Sequence, residues 1–223
     1  MAFDHHSSDP TVLADGGLEP ESYISLPDPD RDGEMTVARA ISRRRSRREL
    51  AREPIDEGAF SQLLWATQGI TDPETEFRAV PSAGATFPLE IYAVVGEPGV
   101  EFLEAGVYWY RPTDHELALL ESGDVQSELG EATHDQAWVE RAAVDLVVCA
   151  DDERTTREYG QRGADRYVPM EAGHVSQNVY LLAEAMDLAT VAVGAFDDDA
   201  VREVVGAPAE QRPLYVLPVG HPR

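Results

Sequence analysis

Lysine is absent from this 223-residue sequence, and all 18 of its basic residues are arginine. The sequence also contains 42 aspartates and glutamates, which leave a formal net charge of −24. A field of that sign repels nucleic acid and anionic membranes, so neither is expected as a partner. Dense carboxylates suit a protein adapted to high salt, where their mutual repulsion is screened. An ordinary acidic protein is the alternative interpretation.

Cysteine is scarce, and long apolar runs are missing. Cys149 is the single cysteine, so an internal disulfide is excluded, and its apolar neighbours predict an inert core thiol. No apolar stretch approaches the length of a membrane span, and the N-terminus lacks a basic segment followed by an apolar one. We therefore expect a cytoplasmic protein without a membrane partner.

The fingerprints of several common chemistries are also missing. The sequence has neither G-x-G-x-x-G after a strand nor G-x-x-x-x-G-K-[ST], so a Rossmann dinucleotide site and a P-loop are not supported. H-E-x-x-H and paired cysteines are absent and the histidines are scattered, so no metal site is predicted. No nucleophile elbow occurs. These absences favour an organic cofactor that carries its own reactivity.

Alternating strand and helix patterns predict an α+β domain over residues 34–223, preceded by an extended, partly disordered arm over 1–33. The stretch Leu26–Pro29 is expected to fasten the arm to the domain. The first helix should begin after Thr36 and turn Val37, Ala40 and Ile41 inward. Further helices are predicted over 57–68, 168–188 and 197–205, and strands over 89–95, 106–111, 116–120, 143–150, 189–195 and 214–217. Helix 57–68 should have Asp56 as its N-cap, Gly69 at its end and a buried stripe of Phe60, Leu63, Leu64 and Thr67. Strands 106–111 and 116–120 should form a hairpin.

Six of the 18 basic residues fall within ten positions, from Arg43 to Arg52. This local reversal of charge favours a bound phosphate, because guanidinium forks and a serine hydroxyl match phosphate oxygens. A solvated cluster paired with the abundant carboxylates is the first alternative. A nucleic-acid patch is the second, although no aromatic residues are interleaved with these arginines.

A second unusual stretch is Pro81-Ser82-Ala83-Gly84, which is small, turn-prone and uncharged. It leads into Leu89–Val95, which has the composition of a buried strand. Small residues let a flat ligand approach the backbone, and Gly84 permits dihedral angles that other residues avoid. The stretch therefore suits a planar cofactor, and a plain turn before a strand is the alternative.

Several motifs in the same order resemble the nitroreductase family of flavin enzymes. Within that family they are most similar to the SagB-type (azoline/thiazole-oxidase-like) dehydrogenase branch, and the match covers roughly residue 26 to the end. The motifs are Arg44-Arg45-Ser46-Arg47-Arg48, Pro81–Ala85 with Pro88–Tyr92, Gly106-Val107-Tyr108, Tyr159-Gly160 with Arg162, Gly173-His174 with Gln177-Asn178, Gly194–Asp197 and the closing Pro-Val-Gly-His.

The resemblance implies a nitroreductase-like fold, in which helices flank a central mixed or antiparallel sheet, and an obligate homodimer with FMN at its interface. It implies phosphate and ribityl contacts from Arg44, Arg45, Ser46 and Arg48, a flavin lining of Pro81, Ser82, Ala83 and Gly84, and backbone donors near flavin N5 and O4 at Gly194 and Ala195. Ala85 stands where many nitroreductases have a flavin-contacting Asn, as is normal for this branch. Arg223 is expected to substitute for the usual C-terminal basic pair.

The implied activity is an FMN-dependent oxidoreductase that transfers hydride through flavin N5 and acts on a small molecule or a modified peptide. Two alternatives stay open: an NAD(P)H-dependent nitro or quinone reductase, and a non-enzymatic flavin-storage or redox-sensing dimer. The SagB-type branch often shows a Lys-Tyr pair where this sequence has Glu158-Tyr159. The candidate catalytic residues are therefore Glu158 as a base and Tyr159 as a donor or relay. For Glu158, one more surface carboxylate is the alternative.

Overall fold

The computed structural model describes residues 19–223, where six α-helices surround one large sheet. The strands are β1 (Ser22–Ser25), β2 (Ile70–Asp72), β3 (Phe77–Arg78), β4 (Leu89–Val95), β5 (Gly106–Arg111), β6 (Glu116–Ser122), β7 (Val144–Asp151), β8 (Ala189–Thr190) and β9 (Gln211–Gly220). The helices are α1 (Val37–Arg43), α2 (Glu57–Gln68), α3 (Gln126–Ala132), α4 (Asp152–Tyr159), α5 (Val168–Ala185) and α6 (Asp198–Val204). A 3₁₀ turn spans Ala83–Ala85, and a π-helical turn spans Gly163–Tyr167.

The large sheet has the strand order β1-β6-β5-β4-β7-β9-β8, and each pair of neighbours in it is antiparallel. Strands β2 and β3 form a separate small hairpin. The expected α+β fold is confirmed, and the sheet takes the antiparallel form. Short loops suffice for antiparallel neighbours, which is why β5 and β6 follow each other as the predicted hairpin.

The sheet is buried on both faces, because its strands alternate side chains between two apolar layers. In β4, Ile91 and Ala93 join the core that also contains α2 and α5, whereas Tyr92 and Val94 join the core that contains α3 and α6. A continuous apolar composition is expected for strands that are covered on both sides. The central strands are therefore rigid supports for the loops at their ends.

Helix α2 confirms the predicted bounds and caps. The Asp56 side chain accepts the Ala59 N–H at 2.9 Å and so satisfies one of the free donors at the helix start. Gly69 ends the helix. The predicted stripe of Phe60, Leu63 and Leu64 is fully buried. This helix forms one wall of the core on which α5 packs.

Helix α1 begins after its predicted N-cap, Thr36, but its predicted inward face is wrong. Ala40 is buried, whereas Val37 is 68% exposed and Ile41 is 56% exposed. The helix has only two turns. It meets α5 through the small Ala40 and through Arg43, which donates to Glu184. The two branched side chains consequently point away from the protein core.

Within the predicted arm over residues 1–33, Ser22–Ser25 pair with β6 as an edge strand of the large sheet. The expected attachment at Leu26–Pro29 is confirmed. The Leu26 N–H donates to the His115 carbonyl at 3.1 Å, and the Ser61 hydroxyl donates to the Pro27 carbonyl at 2.6 Å. Residues 1–18 of the predicted arm lie outside the described residues.

The C-terminal half departs from the predicted pattern in three places. Helix α5 ends at Ala185 rather than at residue 188. Within the predicted strand 189–195, Ala189–Thr190 pair in the sheet as a strand, and the rest of the segment forms a single bridge to β9, at Val193. Helix α4 and the π-helical turn after it were not predicted. Within residues 19–223, no helix combines the length and the apolar character that a membrane span needs.

Candidate functional site

The arginine segment, residues 44–48, follows α1 and lies against α5. The hydroxyls of Ser46 and Tyr180 are 2.8 Å apart, and the Tyr180 hydroxyl also accepts the Ala192 N–H at 2.8 Å. The Arg44 guanidinium lies over the Tyr180 ring, 5.0 Å from its centroid. Tyr180 therefore joins the arginine segment to the stretch 191–195. Sequence reasoning missed this residue, since a tyrosine on a buried helix is usually a packing residue.

The arginines of this region divide into two sets according to their partners. Arg43 and Arg47 donate to the buried Glu184 carboxylate at 2.8 and 2.6 Å. Burial would raise the pKa of Glu184, but the hydrogen bonds from Arg47 and Arg43 outweigh it and leave the pKa below its ordinary value. Arg44 and Arg48, in contrast, have no carboxylate within 4.0 Å in the described part of the chain. Their charge remains available for an external anion.

Arg223 lies beside this segment. Its N–H donates to the Glu49 carbonyl at 2.9 Å, and a cavity of about 340 Å³ is lined by Arg223, Arg47 and Arg48 together with Glu49 and Pro222. Arg45 is different, because its guanidinium turns back to the carbonyls of Ser42 and Arg44. The cavity thus contains several guanidinium groups, which are suitable donors for an anionic oxygen cluster.

The Pro81–Gly84 loop continues into a strained turn. Gly84, Ala85 and Phe87 have φ angles of +62°, +53° and +42°. Positive φ is costly for side chains other than glycine, and it persists only where the surroundings enforce it. Here the Phe87 N–H donates to the Ser82 hydroxyl oxygen at 2.9 Å, and the Thr86 hydroxyl donates to the Ala83 carbonyl at 3.0 Å. Such strain is often found at functional sites.

Tyr159, at the end of α4, lies over this loop. A Cβ placed on Gly84 would come within 2.5 Å of the Tyr159 hydroxyl oxygen, so only glycine fits there without displacing the tyrosine. The Tyr159 ring packs edge-on against Tyr167, with 5.0 Å between the centroids. The structure therefore brings Tyr159 to the loop. Its neighbour Glu158 is exposed and makes no side-chain hydrogen bond within residues 19–223.

Glu171 on α5 is a further residue of this region that sequence reasoning missed. It is 2% exposed, and its Oε1 atom has no hydrogen-bond partner among residues 19–223. Burial raises the pKa of Glu171 to about 7, although Ser82, Gln68 and Arg78 each lower it. The signal was available, because Glu171 falls on the same helical stripe as the buried Val168 and Val175. A glutamate on an inward stripe needs an explanation.

The predicted donors Gly194 and Ala195 are exposed and lie in the stretch that Tyr180 supports. The Ala195 carbonyl accepts from the Gln136 amide at 3.0 Å. Neither backbone N–H donates a hydrogen bond within the described chain. An added Cβ on Gly194 would meet only the Tyr215 ring, at 3.7 Å. Two adjacent free donors on an open face can bind a ligand oxygen or nitrogen.

The site residues therefore form two groups, which both contact α5. One group comprises the arginine segment with Tyr180 and residues 191–195, and the other comprises the Pro81–Gly84 loop with Tyr159 and Glu171. Glu171 and Tyr180 are nine positions apart, which corresponds to about 14 Å along a helix. No cluster of three or more potential metal ligands occurs among residues 19–223. The arrangement suits an elongated anionic molecule better than a metal ion.

The Tyr180 hydroxyl generates the first prediction. Tyr180→Phe leaves the Ala192 N–H without its acceptor and should lower the free energy of unfolding by about 1–3 kcal/mol. The matched control is Tyr167→Phe, which removes a hydroxyl bonded to the exposed Arg162 and should change stability by less than about 0.5 kcal/mol. Urea unfolding of both variants measures these changes in the free energy of unfolding. Equal losses would contradict the special role of Tyr180.

Comparison with known proteins gives a consistent result. Residues 41–221 match the family model described as Nitroreductase family. MJ1384 of Methanocaldococcus jannaschii, which carries the name nitroreductase, is 44% identical over 197 residues, covering 88% of this chain and 95% of its own. A crystal structure described as a nitroreductase from Ralstonia eutropha superimposes with a TM-score of 0.79 at 26% identity, covering 93% and 96% of the two chains.

A more distant relative carries a more specific name. The microcin B17-processing protein McbC of Escherichia coli is 28% identical over 149 residues, which are 66% of this chain and 54% of McbC. The similarity to McbC agrees with the SagB-type resemblance of the sequence motifs. The family model spans most of the chain, and the archaeal relative is matched over nearly its whole length. The chain belongs to the nitroreductase family.

Proposed function

We propose that this chain is an FMN-dependent oxidoreductase related to the SagB-type dehydrogenases. The observation that carries the proposal is the set of donors that have no partner among residues 19–223: the guanidinium groups of Arg44, Arg48 and Arg223, and the backbone N–H groups of Gly194 and Ala195. The guanidinium groups would bind a phosphate, and the two backbone N–H groups would bind a polar ring edge. FMN has both features, and when bound it would supply hydride transfer through N5 of its ring.

The phosphate end of the proposed site uses Arg44, Ser46, Arg48 and Arg223. Guanidinium groups bind phosphate oxygens through paired charge-assisted hydrogen bonds. Because the Tyr180 hydroxyl accepts from Ala192, it can donate its own hydrogen to Ser46 and leave the serine hydrogen for a phosphate oxygen. We assign Arg45, which bonds to backbone carbonyls, to support of the segment rather than to the phosphate.

The ring end uses the uncharged Pro81, Ser82, Ala83 and Gly84, whose small side chains let a planar ring approach the backbone. Two N–H donors, on Gly194 and Ala195, would stabilise negative charge that develops on the opposite ring edge. Tyr159, whose hydroxyl lies near Gly84, would donate or relay a proton to a bound substrate.

The substrate is either a small molecule or a modified peptide. Similarity to McbC supports peptide processing, although this chain spans only 54% of that protein. Glu158, which stands where the SagB-type branch often has lysine, supports the second candidate, an NAD(P)H-dependent nitro or quinone reductase. An exposed carboxylate without a fixed partner is a weak base beside a bound substrate. Flavin storage without turnover is the third candidate.

We further propose that the working unit is a homodimer. Val37 and Ile41 on α1 are 68% and 56% exposed, and Met170 near the start of α5 is 51% exposed. Isolated exposed apolar residues are common, but these belong to two helices that pack together beside the proposed FMN site. A second copy that covers them would also exclude water from the ring. Self-association of chains with a net charge of −24 requires salt to screen their repulsion.

The cofactor gives the second prediction. The purified protein should be yellow and release FMN on denaturation, and Arg44→Ala should weaken FMN binding roughly tenfold or more, since a charge-assisted hydrogen bond is lost. Arg39→Ala, which removes an exposed arginine on the neighbouring helix, is the control and should bind FMN normally. Release of FAD, or no flavin after reconstitution with FMN in high salt, would overturn the proposed function.

The dimer gives the third prediction. Ile41→Asp places a charge on the exposed face of α1 and should shift the particle from dimer to monomer in high salt, as measured by light scattering. Tyr23→Ser removes an exposed aromatic side chain on the edge strand β1 and should leave the dimer intact. A monomeric wild-type protein that retains FMN would refute an interface site.

The fourth prediction concerns the Glu158-Tyr159 pair. Tyr159→Phe should lower turnover while FMN remains bound, because the hydroxyl at the loop is lost and the ring remains. Glu158→Gln should have the smaller effect. Two assays measure turnover: oxidation of NADPH with a nitroaromatic acceptor, and oxidation of an azoline-containing peptide. Activity in the first favours the reductase, activity in the second favours peptide oxidation, and either one excludes flavin storage alone. Full activity of Tyr159→Phe on the substrate that is turned over would remove this tyrosine from the mechanism.

A further inference from the structure

Helix α4 contacts the Pro81–Gly84 loop and the turn after it along one face. Thr155 and Tyr159 are four positions apart and therefore lie on the same side of the helix. Tyr159 lies over Gly84. The hydroxyls of Thr155 and Thr86 are 2.8 Å apart. Because the single Thr86 hydroxyl hydrogen goes to a carbonyl of the loop, Thr155 must donate to Thr86. The helix that carries Tyr159 is thus bonded to the turn one helical turn earlier.

Arg154 makes a second and more extensive connection between α4 and the same turn. Its Nη1 donates to the Phe87 carbonyl at 3.1 Å, its Nη2 to Oε1 of Glu90 at 2.5 Å, and its Nε to Oδ2 of Asp151 at 3.1 Å. These acceptors belong to the turn, to strand β4 and to the N-cap of α4. A planar guanidinium holds several acceptors at fixed relative positions, whereas a lysine ammonium on its flexible stem does not.

Phe87 needs this support, because its φ angle of +42° is unfavourable for a residue with a side chain. Its N–H donates to the Ser82 hydroxyl oxygen at 2.9 Å, and its ring faces the Arg78 guanidinium, 4.6 Å from the ring centroid. Among residues 19–223, its carbonyl accepts from Arg154 alone. Loss of that donor would release the strained residue from α4.

Arg154 also compensates the charge of Glu90. Glu90 is 8% exposed, and its second oxygen accepts from the Trp109 indole at 2.9 Å, so both carboxylate oxygens are bonded. A buried carboxylate needs a charged partner, and any cation at position 154 that reaches Glu90 would serve. The bond to the Phe87 carbonyl contributes nothing to that charge balance. Its effect is on the conformation of the turn.

We propose that Arg154 is a positioning residue for Tyr159. By holding the Phe87 carbonyl, Arg154 keeps the strained turn against α4, and the spacing between that helix and the Pro81–Gly84 loop sets where the Tyr159 hydroxyl lies. In this role Arg154 acts through the turn and the helix rather than through contact with substrate. The effect on turnover rests on the proposed function, whereas the effect on the turn does not.

The first test needs no flavin and uses Arg154→Lys, which keeps a positive charge for Glu90 but cannot hold three acceptors at once. Hydrogen exchange of the backbone over residues 83–88, followed by mass spectrometry, should become roughly tenfold faster than in the wild-type chain, since a charge-assisted hydrogen bond that supports the turn is lost. Exchange in β4 and β7 should stay as in wild type. Unchanged exchange over 83–88 would overturn the inference, as would an equal increase in all three segments.

A second variant separates the turn from the charge of Glu90. Arg154→Met combined with Glu90→Gln removes both charges together, so that no buried carboxylate is left without a partner. This pair should show the same local increase in exchange over residues 83–88. Wild-type exchange in the pair would show that Arg154 serves Glu90 alone, and it would overturn the inference.

The matched control is Arg212→Lys. Arg212 donates to both carboxylate oxygens of Asp152, each at 3.0 Å, and so also bonds to α4. Its side chain donates to no residue of the loop or the turn in the described part of the chain. Exchange over residues 83–88 and turnover should therefore both match those of the wild-type chain.

The second test measures turnover and FMN affinity in whichever of the two assays the wild-type chain is active. Arg154→Lys should lower kcat roughly tenfold and change the dissociation constant of FMN by less than about threefold, because the phosphate would be held by the other group of site residues. In a Tyr159→Phe background the loss should nearly vanish, since both substitutions act through one hydroxyl.

An equal loss of kcat with and without the Tyr159 hydroxyl would overturn the inference. A wild-type chain that neither binds FMN nor turns over either substrate would instead overturn the proposed function. The exchange measurements would still decide whether Arg154 holds the turn against α4.

Discussion

Helix α5 has to remain buried between the sheet and α2, and both groups of site residues depend on that packing. Val175 and Val179 are fully buried in the core shared with α2. Near its start the helix carries the buried Glu171, and about two and a half turns later Tyr180 meets the arginine segment. A close-packed interior resists sliding of one element past another. The spacing between the two groups is therefore set by the core.

Arginine performs two different tasks in one short segment of a strongly acidic chain. Arg43 and Arg47 neutralise the buried Glu184, which would otherwise be an isolated charge in an apolar layer. Arg44 lies between these two anchored arginines and Arg48 directly follows them, and neither has a carboxylate partner among residues 19–223. An ordinary solvated cluster would pair each arginine with one of the many carboxylates. The uneven pairing is what favours an anion site.

Local patterns were reliable where a helix or strand carries its own signals. Asp56 and Gly69 bracket α2 as predicted, and alternating or continuous apolar runs located β4, β7 and the β5–β6 hairpin. The same reasoning failed for α1, because a two-turn helix has too little surface for its apolar spacing to decide which side faces the core. It also overextended β8, since an apolar run can leave a sheet edge without changing its composition.

The sequence by itself determined the caps, the main strands and the order of motifs that identifies the family, because each depends on residues close together in the chain. The tertiary structure alone decided that Tyr159 meets Gly84, that Tyr180 joins Ser46 to Ala192, and that Glu184 takes Arg43 and Arg47 rather than their neighbours. Contacts between distant residues, and the desolvation that moves the pKa of Glu171, arise only when packing brings the elements together.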